Sequence, residues 1–190
     1  MRNYLLNLAP VLLSATLSAQ GVFSNKTQDI LEKVIRDYPN HFYNIKGELI
    51  GQALQTARYK SILQLPGASS CTITLYTASS NEGSGWSCIV LQAADFSQAK
   101  KRFTEIYGQI SNSIITAGGQ KTFILSGQYE EPVEEKKSTR ILFSLLPGMG
   151  DMKKLKVGLF LQEEPGGWKI TLSVQDRDPR EEAQIAMTAN

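Results

Sequence analysis

Apolar positions along this chain recur at two spacings, and stretches of the two kinds follow one another twice. Residues 24–38 place Ile30, Leu31, Val34, Ile35 and Tyr38 one, three and four apart, the stripe of an amphipathic helix. Ser24 or Thr27 is positioned to cap its first turn, and Pro39-Asn40 ends it. Residues 95–110 read as a second and clearer helix, with Phe96, Ala99, Phe103, Ile106, Tyr107 and Ile110 on one face. Asp95 and Gln98 have capping-box spacing, and Lys100, Lys101, Arg102 and Glu105 form a solvated outer surface.

After each helix the spacing changes to two. Residues 42–50 read as a weak strand around Gly47, and 58–65 as a strand with Tyr59, Leu63 and Leu65 on one side. Residues 71–76 alternate strictly, Cys71, Ile73 and Leu75 against Thr72, Thr74 and Tyr76, which predicts a half-buried strand. A polar turn over 78–85 leads to 86–91, apolar on both faces as a central strand would be. The second half runs through a strand at 122–129, an acidic loop at 130–137 and a strand at 139–145 with Ile141, Phe143 and Leu145 inward. A hairpin of 155–161 and 168–174 closes it, Leu155, Val157, Leu159 and Leu161 sharing a face with Trp168, Ile170, Leu172 and Val174.

The two halves share punctuation. Leu65-Pro66-Gly67 and Leu146-Pro147-Gly148 stand 81 residues apart, and Trp86 and Trp168 stand 82 apart. Self-similarity at a fixed offset predicts a tandem architecture: a first α+β repeat over 21–93, a second over 94–176, and a tail over 177–190, either mobile or a short helix. The expected fold class is α+β, two units of one helix and three or four antiparallel strands, with each helix covering its own meander. Both helices then lie on one side of the sheet, and the opposite face is left open. This arrangement is similar in outline to the β-lactamase inhibitor protein family. The resemblance rests on element order and on the repeated Leu-Pro-Gly and Gly-Trp features; it implies a fold and carries over no inhibitory residue.

Composition narrows the function classes. The 190 residues carry a net charge of +2 with no clustered basic run, which disfavours a nucleic-acid partner. Met1-Arg2-Asn3, a mainly apolar run over 4–17 and small residues at Ser18 and Ala19 have the form of a secretory signal over residues 1–20. The run is shorter than the ~20 residues a spanning helix needs. The mature chain is therefore expected to be exported, periplasmic or extracellular, without a membrane span.

Catalytic groups are sparse. The single histidine, His41, falls in a turn, and one His with two Cys cannot assemble a four-ligand zinc set without carboxylates. Glu163-Glu164 and the cluster of Glu130, Glu131, Glu134 and Glu135 sit beside prolines and read as solvated loops. Gly148-Met149-Gly150 reads as a turn, and Asn25-Lys26-Thr27 matches a glycosylation acceptor. No catalytic residue, cofactor or metal is expected. Cys71 and Cys88 are candidates for a disulfide in an oxidising compartment. Two registers are open: in one, Trp86 pairs with Thr77 as Trp168 would with Leu161, leaving the cysteines roughly 13 Å apart; in the other they face each other.

The remaining candidate is the open sheet face. Alternation assigns it Arg58, Lys60, Thr72, Thr74, Tyr76, Arg140, Lys156, Phe160, Lys169 and Thr171, a basic, hydroxyl-bearing and aromatic set. Such a surface suits an acidic protein of the envelope or extracellular space, or an anionic glycan. The expectation is an exported, non-catalytic binding protein. The alternatives are an envelope chaperone or assembly factor and, less favoured, a carboxylate-based hydrolase.

Overall fold

A computed structural model describes residues 25–76 and 83–175. The signal segment, most of the 78–85 turn and the tail lie outside the described residues. Helix α1 (Lys26–Asp37) and strands β1 (Lys46–Ala53), β2 (Thr56–Ser61), β3 (Ser70–Tyr76) and β4 (Gly83–Ala93) make the first half. Helix α2 (Phe96–Ile110) and strands β5 (Ile114–Ala117), β6 (Lys121–Ser126), β7 (Ser138–Leu146), β8 (Lys156–Glu164) and β9 (Gly167–Gln175) make the second. All pairs are antiparallel in one nine-stranded sheet of order β1-β2-β3-β4-β9-β8-β7-β6-β5. The fold is α+β. The last strand of each half is central, and the two meet in a ladder where Trp86 pairs with Val174 and Trp168 with Ala93.

Both helix caps have a chemical cause. Asn25, rather than Ser24 or Thr27, caps α1: its Oδ1 accepts from the Gln28 backbone N–H, while its Nδ2 donates to the Gln109 carbonyl at the end of α2. An amide used at both ends is poorly placed to carry a glycan. Asp95 caps α2 as the spacing predicts, accepting from Gln98 N at 2.8 Å. Hydrogen bonds from Ser97 and then Gln98 hold its carboxyl below the ordinary value of 3.8. A depressed carboxylate stabilises the fold above its unfolded pKa and loses that contribution as pH falls through the folded one. The melting-temperature deficit of Asp95→Ala is accordingly expected at neutral pH and should shrink below pH 3.8, as thermal unfolding at a series of pH values would show.

The strand boundaries depart from expectation where the pattern was mixed. The 42–50 segment begins as a 3-10 turn over Tyr43–Ile45, with Phe42 at φ +61° and fully buried, and pairs only from Lys46 onward. Strand β2 ends at Ser61 instead of residue 65 and β6 at Ser126 instead of 129, while Gly83 to Gly85 belong to β4 and not to a turn. Strand β5 was not expected at all, so the second half has five strands against four in the first. It is four residues long and lies at the sheet edge, too short for alternation to register.

Helix α1 makes its closest strand contacts with the other half. It runs along β5, where the Gln28 side chain donates to the Ile114 carbonyl and Arg36 Nε donates to the Thr116 carbonyl at 2.6 Å. These bonds occupy outward-facing carbonyls of an edge strand that would otherwise be open to another chain. The last turn of α1 is also tied to the segment that enters β1. Asp37 accepts from Asn44 N at 3.0 Å, and the Ile45 carbonyl accepts from Ile62 N at 2.9 Å. A flat sheet of nine strands would hold its edges roughly 38 Å apart. Because the last turn of α1 reaches both edges, the sheet must curl around its helices. One continuous core fills the inside, from Leu31, Ile35 and Phe42 through Trp86 and Phe103 to Phe143 and Leu172.

Candidate functional site

Alternation sends the other side chain of each strand to the face that no helix of the described residues covers, and register aligns these residues in rows across the sheet. One row runs Arg58, Thr74, Gly85, Gln175 and Lys156; the next runs Lys60, Thr72, Ser87, Ser173 and Gly158. A third joins Ile89, Thr171, Phe160 and Arg140. All seven residues expected to form a binding surface are therefore on this face or its rim, together with Thr72, Thr74 and Thr171.

The rows enclose a groove of about 340 Å³ over strands β2, β3, β4, β9 and β8, lined by Arg58, Tyr76, Phe160 and Lys169 among the expected residues. Lys60, Arg140 and Lys156 lie outside that lining. Its floor is made by residues the sequence did not single out, Gly85, Ser87, Ser173 and Gln175. The signal for them is small or hydroxyl side chains at outward positions of otherwise apolar strands. It becomes readable only once register places them side by side.

Gly158 explains the shape of the groove. A Cβ there would collide with the ring of Phe160 and come within 2.9 Å of Ser173 Oγ. The aromatic ring thus lies over a glycine and against a serine hydroxyl. Ser173 is 5% exposed, and its Oγ has no hydrogen-bond partner. A buried hydroxyl in that state is rare, because leaving it unpaired costs about 1–3 kcal/mol.

The cations differ from one another. Lys169 is paired with Glu164, so an acid borders a face expected to carry none. Lys156 Nζ donates to Ser144 Oγ at 2.8 Å. Arg58 and Lys60 are exposed and, like Lys156, have no ion-pair partner among the described residues, so within the groove lining the uncompensated positive charge is that of Arg58 on β2.

The residues weighed for chemistry are dispersed. Glu163 and Glu164 close strand β8 instead of forming a turn, which is reduced to Pro165-Gly166, and they point to opposite sides: Glu163 to Lys137 at 3.2 Å and Glu164 to Lys169. Glu131 pairs with Lys100 at 2.7 Å, and this hydrogen bond holds its carboxyl below 4.5 and raises the lysine. Glu130 pairs with Lys136. His41 is an exposed turn residue at φ +53°.

Cys71 and Cys88 are bonded to each other, their Cα atoms 4.0 Å apart across the β3/β4 pair. The facing register is the one adopted. The other rested on pairing Trp168 with Leu161, but Leu161 pairs with Ile170 and Trp168 with Glu163, because the two-residue turn brings Glu164 against Gly167. Among the described residues no helix is long and apolar enough to cross a membrane. Comparison of the chain with protein-family models, with curated proteins and with solved structures finds no match, and so adds no support to the outline resemblance to β-lactamase inhibitor proteins.

Proposed function

We propose that this is an exported, non-catalytic binding protein that engages its partner through the open face of the sheet. The groove carries the reading: hydroxyl, amide, aromatic and cationic side chains from five strands converge there on one uncovered surface. A polar floor flanked by two aromatic residues, with uncompensated charge at one rim, is a recognition surface; it holds no acid and base pair poised for proton transfer. Export is supported by the apolar run near the N-terminus and by the Cys71–Cys88 disulfide, which persists in oxidising compartments. The same reading takes the two halves as copies of one unit, supported by their mirrored strand order about the β4/β9 ladder.

One observation favours a second reading, a chaperone or assembly factor. Ile114, Ile124 and Leu146 are paired in a row across β5, β6 and β7 and are each about half exposed, an apolar stripe suited to unfolded clients. A single pair of assays separates the two. Charge reversal of Arg58, Lys60 and Lys156 to Glu should abolish capture of the partner from the envelope or extracellular fraction, with no suppression of client aggregation by the unaltered protein. Capture that survives the reversal rejects the groove, and aggregation suppression that is lost in Ile124→Asp establishes the stripe in its place.

A further inference from the structure

We infer that the ligand of the groove is an acidic oligosaccharide lying across the strands, one sugar ring on Phe160 and an anionic group at Arg58 and Lys60. This rests on the open-face reading above and specifies its partner. Four strand spacings separate β2 from β8, roughly 19 Å, so a ligand touching both ends is an oligomer, not a single sugar. Between the ends the surface offers mainly hydroxyls and amides, Thr72, Ser87, Thr171 and Gln175 among them, groups that both donate and accept. A sugar supplies the complement, with hydroxyls around its edge and a C–H face that packs on an aromatic ring. An extended peptide would instead look for apolar pockets or a free sheet edge; the groove lies over β2, β3, β4, β9 and β8, none of them an edge strand, and among the described residues its lining has only Tyr76 and Phe160 as large apolar side chains.

Two details point to a ligand beyond a general polarity. Ser173 Oγ is a buried donor and acceptor with no partner, at the groove floor, with the Phe160 ring as its neighbour over Gly158. A sugar that stacks on the ring and shifts it aside gives that hydroxyl the hydrogen bond it lacks. The positive charge is also lopsided. Of the two cations in the lining, Lys169 beside the aromatic end is neutralised by Glu164 and Arg58, next to Lys60, is not; Lys156 on β8 lies outside the lining and donates to Ser144. The ligand's anionic group, a uronate carboxylate, belongs at the β2 end.

The test is calorimetric titration of the purified full chain with a galacturonate hexamer, with neutral cellohexaose and with inorganic polyphosphate. The expected result is saturable binding of the uronate, at least roughly tenfold tighter than either other probe and weakened by added salt. Phe160→Ala and Arg58→Gln should each weaken it by roughly tenfold. Ser173→Ala should weaken it several-fold while leaving the unfolding midpoint unchanged or higher, because the hydroxyl it removes is unsatisfied in the free protein. Equal binding of polyphosphate overturns the proposal in favour of charge alone, and equal binding of cellohexaose removes the acidic group from it. Absence of saturable uronate binding overturns the saccharide assignment; if the charge-reversed chain still fails to capture its partner in the pull-down, the open-face reading survives that outcome.

Discussion

Trp86→Ala is expected to lower the unfolding free energy by roughly 3–5 kcal/mol, the largest effect of any single substitution considered for this fold. Trp86 is fully buried in β4, paired on one side with Ile73 and on the other with Val174, at the ladder that joins the two halves of the sheet. Its indole N–H donates to Ser61 Oγ at 3.0 Å, and that hydroxyl in turn donates to the Leu63 carbonyl where β2 ends. Truncation therefore opens a cavity between the halves and loosens the segment that leaves β2. Domains of this kind are stable by about 5–15 kcal/mol in total, so the variant should be marginal. Trp86→Phe keeps most of the volume and removes only the N–H donor, and should cost about 1 kcal/mol. Denaturant unfolding followed by far-UV circular dichroism measures both. Near-equal losses in the two variants would mean the hydrogen bond, and not the ring volume, holds the site.

Reducing the Cys71–Cys88 bond should cost about 3 kcal/mol, the loop-closure value for a ring of this size, since the cysteines are 17 residues apart in sequence. Both are buried on the helix side, 1% and 0% exposed. A reductant should therefore act only when the β3/β4 pair opens, and the rate of thiol appearance should follow local unfolding. The bond also closes the hairpin whose outer face supplies Thr72, Thr74, Tyr76, Gly85 and Ser87 to the groove. Loss of ligand affinity on reduction is therefore expected alongside the loss of stability. Alkylation of the freed thiols, read by mass against the shift in unfolding midpoint, tests this; complete alkylation with an unchanged midpoint would show that the hairpin holds without its crosslink.

Much of this was open to inspection in the chain itself. The periodicity of α2 and the alternation of β3, β7, β8 and β9 assigned inward and outward positions correctly, because those segments are long and apolar on one face only. The same alternation put Arg58, Tyr76, Phe160 and Lys169 on one surface before any pairing was known. Strand β5 escaped notice because Ile114 to Ala117 is a single short apolar run, indistinguishable by period from a loop or a helix end. The sequence leaves the cysteine pairing open between two registers because both preserve every inward and outward assignment. A slip of four residues, like any even slip, is invisible to a pattern of period two.

What the sequence determined by itself is therefore the kind of element over its longer segments and the side their residues face, since both follow from local spacing. Tertiary structure decided everything that depends on which strands become neighbours. The β4/β9 ladder, the crossing of α1 onto β5, the pairing of Lys169 with Glu164 and the seating of Phe160 over Gly158 beside an unpartnered Ser173 are contacts between distant parts of the chain. Their free energy comes from closing long loops onto a shared core, and no local pattern encodes which closure wins.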